Sequence, residues 1–235
     1  MIVEPVIGNA GVILPKEGYL HKLRSLTTDY GVLLIFDEVI TGFRLALGGA
    51  QERYGIKPDL TTLGKILGGG FPIGAFGGRT EIMQQLSPLG KVYQAGTFSG
   101  NPLSVSTGYA TLQTLKKNRT KLYPRLERNC SELTKAVTDS ALDHHVDMHV
   151  NTIASMFQLF FSSAPVFDYV SAKSSNTQKF SIYFSNLLKQ GVFVPPSQFE
   201  TCFLSTAHNQ DDLECTIEAI DNALGKVSTE GEALQ

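Results

Sequence analysis

The order of apolar and polar positions at the start of the chain predicts a layered α/β structure. Ile2 and Val3 begin a strand-like run, leucines recur at helical spacing across residues 17–29, and VLLIFDEV at residues 32–39 is almost continuously apolar. A run of this kind is typical of a parallel strand buried on both faces. Strand, helix and strand in this order predict a βαβ layer, with the acidic pair of VLLIFDEV at the carboxyl end of its strand.

Further along, the pattern becomes a series of short alternating elements. We predict a strand at 72–78, a short helix at 80–86 and a helix that begins at Pro102 and ends near residue 117. The elements expected after that are a polar helix at 119–139, a strand at 152–161, a helix at 176–189, strands at 191–194 and 202–207, and a last helix at 211–224. The sequence therefore predicts an α/β portion at 1–117, a small α+β domain at 118–225 and a flexible tail at 226–235.

Composition indicates which kinds of binding partner and which cellular compartment to expect. The 235 residues are 42% hydrophobic and 18% charged with a net charge of -2, which favours neither nucleic acid nor an anionic membrane as partner. The chain has no long apolar window and no basic, signal-like start. Its three widely spaced cysteines are typical of a reduced, cytoplasmic protein. The histidines of DHHVDMH (143–149) have no second ligand cluster, so we expect no metal.

One lysine stands in an unusual setting, TTLGKILGGG at residues 61–70. A flexible glycine turn with a solvated Lys65 is the simpler interpretation, and the glycine spacing fits neither phosphate-loop pattern. A lysine that forms a Schiff base must instead be deprotonated and closely approached by a carbonyl. Small and apolar neighbours favour both conditions, so Lys65 is a candidate nucleophile.

The acidic pair at the end of the apolar run is the second candidate. Adjacent strand residues point to opposite faces, so at most one of Asp37 and Glu38 faces a given site. Ligands of open α/β sheets bind beyond the carboxyl ends of strands, where Asp37 is expected. A carboxylate there suits the ring nitrogen of a pyridoxal cofactor, which must stay protonated. The alternative is a strand cap or an ion pair with Arg44.

Thr97, in AGTFSGNP at residues 95–102, is the third candidate. A hydroxyl and backbone N–H groups in a turn that enters a helix can bind a phosphate. A plain helix cap at Asn101 explains half of the same pattern without any ligand.

Together these stretches resemble a known family. IFDEVITGFR, PDLTTLGKILGGGFPIGAFGGR and YQAGTFSGNP, in this order, resemble the pyridoxal-phosphate class III aminotransferases. ALGGAQERYG, the YQAGT form and VPPSQFE are most similar to the glutamate-1-semialdehyde aminomutases of that class, and the resemblance extends from Val3 to about Leu224. It implies the aspartate aminotransferase-like fold of PLP-dependent transferases (fold type I), with 1–117 as the C-terminal part of the major domain and 118–225 as the small domain.

The resemblance also implies roles for matching residues. Lys65 would hold pyridoxal 5'-phosphate as a Schiff base and shuttle protons, Asp37 would keep the ring nitrogen protonated, and Val39 would pack on a ring face. Thr97 would reach the cofactor phosphate of the partner subunit in a homodimer. Asn9 and Glu200 would lie close to the substrate or the ring.

The activity implied is the exchange of amino and carbonyl groups within glutamate-1-semialdehyde, which yields 5-aminolevulinate for tetrapyrrole synthesis. Two alternatives stay open: an ω-aminotransferase with separate amino donor and acceptor, and a non-catalytic fragment that needs a partner chain.

The sequence departs from the family pattern at its start. In the family, the chain before EPVIGN supplies the phosphate loop, the aromatic residue that stacks on the ring and much of the substrate recognition. We therefore expect a C-terminal half with unpaired strand edges and exposed apolar faces, inactive by itself.

Overall fold

The computed structural model describes residues 1–232, which form two compact units. The first unit comprises Met1–Val6 and Pro15–Lys121, and the second comprises Ile7–Leu14 and the chain from Leu122 onward. The strands are β1 (Ile2–Val3), β2 (Ile35–Asp37), β3 (Leu60–Leu63), β4 (Ala75–Gly78), β5 (His149–Ile153), β6 (Met156–Phe160) and β7 (Cys202–Phe203). The α-helices are α1 (Tyr19–Asp29), α2 (Gly49–Tyr54), α3 (Thr80–Met83), α4 (Pro102–Asp143), α5 (Tyr169–Lys173), α6 (Thr177–Lys189) and α7 (Gln210–Glu232).

A four-stranded mixed sheet organises the first unit, in agreement with the predicted α/β portion. Its order is β1-β2-β3-β4, in which β1, β2 and β3 run parallel and β4 is antiparallel to β3. Strand β3 was not predicted from the sequence. Its residues, LTTL, include two β-branched threonines, but the neighbouring glycines hide the strand pattern.

The core of this unit explains why β2 is shorter than the predicted strand at 32–39. Leu34 and Phe36 are completely buried, and they pack with Leu20 of α1. Val32 and Leu33 are each 43% exposed. The Val32 N–H bonds to the end of α1 instead of to a neighbouring strand, which delays the start of regular pairing.

A buried carboxylate fixes the end of β2 to the next helix. Glu38 is 1% exposed, and its Oε2 accepts hydrogen bonds from the Ala50 N–H (2.6 Å) and the Thr41 hydroxyl (3.0 Å). Its Oε1 accepts from the N–H and the side-chain amide of Gln51, at 3.2 and 2.9 Å. Glu38 therefore satisfies the free N–H groups at the start of α2, where a negative charge is favoured.

Asp59 joins three segments of the first unit. Its Oδ2 accepts from the Leu34 N–H (2.8 Å) and from Arg24 (2.9 Å), and its Oδ1 accepts from Arg79 (2.9 Å). Burial by itself would raise the pKa of this carboxyl. The hydrogen bonds from Leu34, Arg79 and Arg24 outweigh burial and hold the pKa at about 2.

The second unit contains a three-stranded antiparallel sheet in the order β5-β6-β7 and three helices that begin after Leu122, which agrees with the predicted α+β pattern. The predicted single strand at 152–161 is wrong, because a two-residue turn at Ala154, whose φ is +52°, divides the segment into the hairpin β5–β6. The predicted strand at 191–194 is also wrong. This segment is irregular and packs its valines on the core, and the two prolines that follow it lack the N–H that a strand needs.

Two helices are longer than predicted. The helices expected at 102–117 and 119–139 are one continuous helix, α4, which contains Pro124. Helix α7 continues beyond the predicted end near Leu224 because Val227, 1% exposed, still packs on the core. The tail predicted at 226–235 is therefore helical as far as Glu232, and residues 233–235 of that prediction lie outside the described residues.

The unit boundaries also differ from the expected division at 117/118. The boundary lies at Lys121 and Leu122, inside α4, and Ile7–Leu14 belongs with the second unit. Hydrogen bonds hold Ile7–Leu14 in the second unit. The Asn151 side-chain amide donates to the Val12 carbonyl at 2.8 Å, and the Gly11 N–H donates to the Phe199 carbonyl at 2.7 Å. Within residues 1–232, no helix is long and apolar enough to cross a membrane, and no group of three or more metal-ligand side chains is present.

Replacing Asp59 tests how much its ion pairs with Arg24 and Arg79 stabilise the fold. Its folded pKa of about 2 lies below the ordinary value of 3.8, so the carboxylate stabilises the fold above about pH 4, and this contribution disappears as the pH falls through about 2. We expect Asp59→Asn to lower the free energy of unfolding by about 2 kcal/mol at neutral pH. Urea titrations followed by circular dichroism should show the difference shrinking towards about pH 2. An equal loss of unfolding free energy at neutral pH and at about pH 2 would contradict the stabilising role of the Asp59 carboxylate.

Gly49→Ala tests the Glu38 cap, with Gly55→Ala as its matched control. Gly49 begins α2 and Gly55 follows its last residue, and the two glycines have similar φ angles, +66° and +65°. A Cβ on Gly49 would lie 2.1 Å from Glu38 Oε2, whereas a Cβ on Gly55 meets nothing within 4 Å. Backbone strain is therefore shared, and we expect Gly49→Ala to cost about 2 kcal/mol more in thermal or urea unfolding. Equal losses would rule out the carboxylate contact as the cause.

Candidate active site

The candidate site begins at the carboxyl ends of the two central strands. Asp37 is the last residue of β2 and is paired in register with Thr62 of β3. Asp37 Oδ1 accepts hydrogen bonds from the Thr62 hydroxyl and the Val39 N–H, both at 3.1 Å. The carboxylate is half-buried and held in one orientation at the edge where parallel α/β sheets bind ligands.

Lys65 follows the end of β3 after one glycine. It opens a short 3₁₀ turn, Lys65–Gly68, with a φ of +46°. A non-glycine residue in this region carries backbone strain of about 1–2 kcal/mol, and such strain is concentrated at functional sites. The side chain is exposed. In this chain, the small and apolar neighbours named in the sequence analysis therefore leave the lysine open to solvent.

Val39 lies beside this turn. A Cβ on Gly64, the residue before the lysine, would stand 3.4 Å from Val39 Cγ1. The predicted residues Asp37, Val39 and Lys65 are thus grouped at the ends of neighbouring strands.

Gly68 and Gly69, which follow Lys65, bring its turn into close contact with other parts of the first unit. A Cβ on Gly68 would stand 2.8 Å from Ile73 Cγ2, and one on Gly69 would stand 2.8 Å from the Thr107 carbonyl oxygen. These two glycines allow the turn to pack closely against the rest of the protein, and only Gly64 adjoins the predicted site residues. Sequence reasoning had no signal for this, because Thr107 lies 38 residues away along the chain.

The structure places Thr97 in the wall of a cavity that the other predicted residues of this unit do not line. It is exposed in the turn before α4 and lines a cavity of about 770 Å³ with Pro72–Phe76. Asp37, Val39 and Lys65 are not among the residues that line this cavity. The cap alternative for Asn101 is confirmed, since its Oδ1 accepts from the Leu103 and Ser104 N–H groups at 3.1 and 3.2 Å.

Asn9 and Glu200 are brought together by the second unit. The Gly11 N–H donates to the Phe199 carbonyl at 2.7 Å, and the Thr201 hydroxyl donates to the Gly8 carbonyl at 2.9 Å. These two bonds join the segments on both sides of Asn9 and Glu200, and both of these side chains are exposed.

A buried amide supports the segment that carries Glu200. Gln198 is 1% exposed, its Nε2 donates to the Ser175 carbonyl at 3.2 Å, and its backbone carbonyl accepts from Gln158 Nε2 at 2.8 Å. Sequence reasoning missed Gln198 and Gln158, because nothing in the local pattern distinguishes a buried glutamine from an exposed one.

Comparison with known proteins gives a consistent result. The family model described as Aminotransferase class-III matches residues 1–224. Glutamate-1-semialdehyde 2,1-aminomutase 2 of Brevibacillus brevis is 53% identical over 226 residues, which cover 96% of this chain and 52% of that protein. The chain thus spans about half the length of the curated relatives it matches.

Solved structures agree with the family model. An omega-transaminase from Sphaerobacter thermophilus superposes with a TM-score of 0.88 at 30% identity, covering 96% of this chain and 51% of that one. The FumI protein of Sphingopyxis sp. MTA144, solved in its PLP internal aldimine form, superposes with a TM-score of 0.82 at 25% identity and covers 100% of this chain and 53% of its own. The fold is that of the PLP-dependent aminotransferases, and the chain belongs to the class III aminotransferase family.

Proposed function

We propose that this chain carries the cofactor-binding and proton-transfer residues of an aminomutase that converts glutamate-1-semialdehyde into 5-aminolevulinate. The observation that carries the proposal is the placement of Asp37 and Lys65 at the ends of paired parallel strands. The 53% identity to proteins named glutamate-1-semialdehyde 2,1-aminomutase supports the choice of reaction.

The residues present fit pyridoxal 5'-phosphate. Asp37 Oδ1 is held by Thr62 and Val39, while within residues 1–232 no hydrogen bond reaches its Oδ2, which is left to accept from a protonated ring nitrogen. Val39 offers an apolar surface beside the lysine turn. When bound, the cofactor supplies an electron sink for the substrate carbon that loses a proton.

Each of these residues would then have its own role in the reaction. Asp37 holds a proton on the ring nitrogen through its charge, and Val39 orients the ring by packing on one face. Lys65 is exposed and can reach outward, so its Nζ would move protons between the substrate carbons and C4' of the bound cofactor. Substrate and product are isomers, because the amino group and the carbonyl oxygen exchange places on adjacent carbons, and so no second substrate is consumed.

The remaining predicted residues extend the proposal to an assembled enzyme. Thr97 is exposed and lines a cavity that Lys65 does not line, which suits the role of contacting a phosphate held by the partner subunit of a homodimer. Asn9 and Glu200, on joined segments, would face the substrate. Three free cysteines support a cytoplasmic location.

Two observations favour the alternatives. The 30% identity to an omega-transaminase favours an enzyme with a separate amino acceptor. The half-length match and the exposure of Tyr93 (82%) and Phe98 (81%) favour a fragment that needs a partner chain to be active.

Trapping the cofactor tests the site directly. We expect pyridoxal phosphate followed by borohydride reduction to modify Lys65, as detected by peptide mass mapping, and to leave no adduct at position 65 in Lys65→Ala. Asp37→Asn should weaken binding about tenfold because a charged hydrogen bond is lost. Lys57→Ala, which removes another exposed lysine of the same unit, is the control and should bind normally. Labelling spread over surface lysines would contradict the site.

Dependence on a keto acid separates the mutase from a transaminase. With an N-terminal half supplied from an aminomutase relative, we expect 5-aminolevulinate to form from glutamate-1-semialdehyde without 2-oxoglutarate or pyruvate. A strict requirement for either keto acid would favour the ω-aminotransferase. Activity that appears only after the added half is present would show that this chain alone is an incomplete catalyst.

A further inference from the structure

The turn that carries Lys65 packs backbone against backbone on the first turns of helix α4. A Cβ on Gly108 of α4 would stand 2.4 Å from the Leu67 carbonyl oxygen, and Leu67 lies two residues after the lysine. From the other side, a Cβ on Gly69 would stand 2.3 Å from Thr111 Oγ1. Neither glycine tolerates a side chain without separation of the turn and the helix.

A hydrogen bond joins the same two elements. The Thr107 hydroxyl lies 2.9 Å from the carbonyl oxygen of Gly68, and Gly68 is the last residue of the Lys65 turn. The same hydroxyl is 3.0 and 3.1 Å from carbonyls of its own helix, at Leu103 and Ser104. A threonine in a helix often bonds only to its own preceding turn, so the shorter contact to Gly68 is an additional tie to the lysine turn.

This packing accounts for the persistence of the strained lysine. Lys65 has a φ of +46°, and such a conformation is retained only where the surroundings fix it. On its N-terminal side the turn is fixed by β3, whose register with β2 also places Asp37. On its C-terminal side the fixed support is α4, through Thr107 and Gly108.

We propose that Thr107 and Gly108 are positioning residues for Lys65: they set the height of its turn above the strand ends and hence the position of its Nζ. The geometry stands by itself, and the chemical purpose of that position rests on the proposed function. Ordinary contact begins at 3.4 Å, so an alanine at 108 would displace the Leu67 carbonyl by about 1 Å. A displacement of this size is enough to reduce a reaction about 100-fold when it moves a reacting group.

Four variants separate positioning from simple packing. Gly108→Ala separates the backbones, and Thr107→Val removes the hydroxyl while it keeps the shape. Thr107→Ser keeps the hydroxyl and should restore the wild-type behaviour. Gly77→Ala is the control, because Gly77 is in the same unit and a Cβ there meets nothing within 4 Å.

The first measurement does not involve the cofactor. Trace acetylation by acetic anhydride across a pH series, analysed by peptide mass mapping, gives the reactivity of Lys65 relative to Lys57 in the same sample. We expect Gly108→Ala and Thr107→Val to change this ratio about threefold or more and to alter its pH profile, while Thr107→Ser and Gly77→Ala leave both unchanged. A second readout is the yield of the reduced pyridoxal-phosphate adduct on Lys65, which should fall about tenfold in the same two variants.

The outcomes are distinct. Lower unfolding midpoints with an unchanged Lys65-to-Lys57 ratio in both variants would overturn the proposal and leave Thr107 and Gly108 with a packing role only. If Gly108→Ala does not fold, the comparison of Thr107→Val with Thr107→Ser decides the question. A wild-type chain that forms no adduct on Lys65 would count against the proposed function, whereas the acetylation ratio would still decide the positioning role.

Discussion

The parallel pairing of β2 with β3 is the constraint on which the candidate site depends. It places Asp37 opposite Thr62, and the chain leaves both strands at the same edge of the sheet. A shift of one residue in this register would turn Asp37 to the opposite face and remove the Thr62 hydroxyl from its Oδ1. Completely buried Phe36 makes such a shift costly, because it would bring an aromatic side chain out of the core.

Three carboxylates near these strands have different roles because their partners differ. Glu38 is surrounded by donors from α2, and Asp59 is shared between two arginines and a backbone N–H, so both stabilise the fold. Asp37 has one oxygen held by the protein and one directed to no hydrogen-bond donor among residues 1–232. Buried and fully satisfied acids form the support, and the half-buried one is available for a ligand.

The candidate site residues are distributed over three places in the chain. Asp37, Val39 and Lys65 form one group, Thr97 lines a cavity that these three do not line, and the segments of Asn9 and Glu200 are joined within the second unit. An amino-group transfer needs the cofactor ring, its phosphate and the substrate held at the same time. In the proposed function these groups act together only in the assembled enzyme, for which this chain supplies the lysine and the ring-nitrogen carboxylate.

By itself, the sequence determined the family, the α/β and α+β character of the two parts of the chain, and the position of Asp37 at the end of a buried strand. These features depend on local pattern: apolar runs, helical spacing and short motifs. Only the tertiary structure decided that Lys65 follows a strand, that Ile7–Leu14 joins Glu200's unit, that Ala154 divides a strand into a hairpin, and that Gly69 allows close contact with α4. These features arise from contacts between residues far apart along the chain, and neither the propensity nor the spacing of neighbouring residues records such contacts.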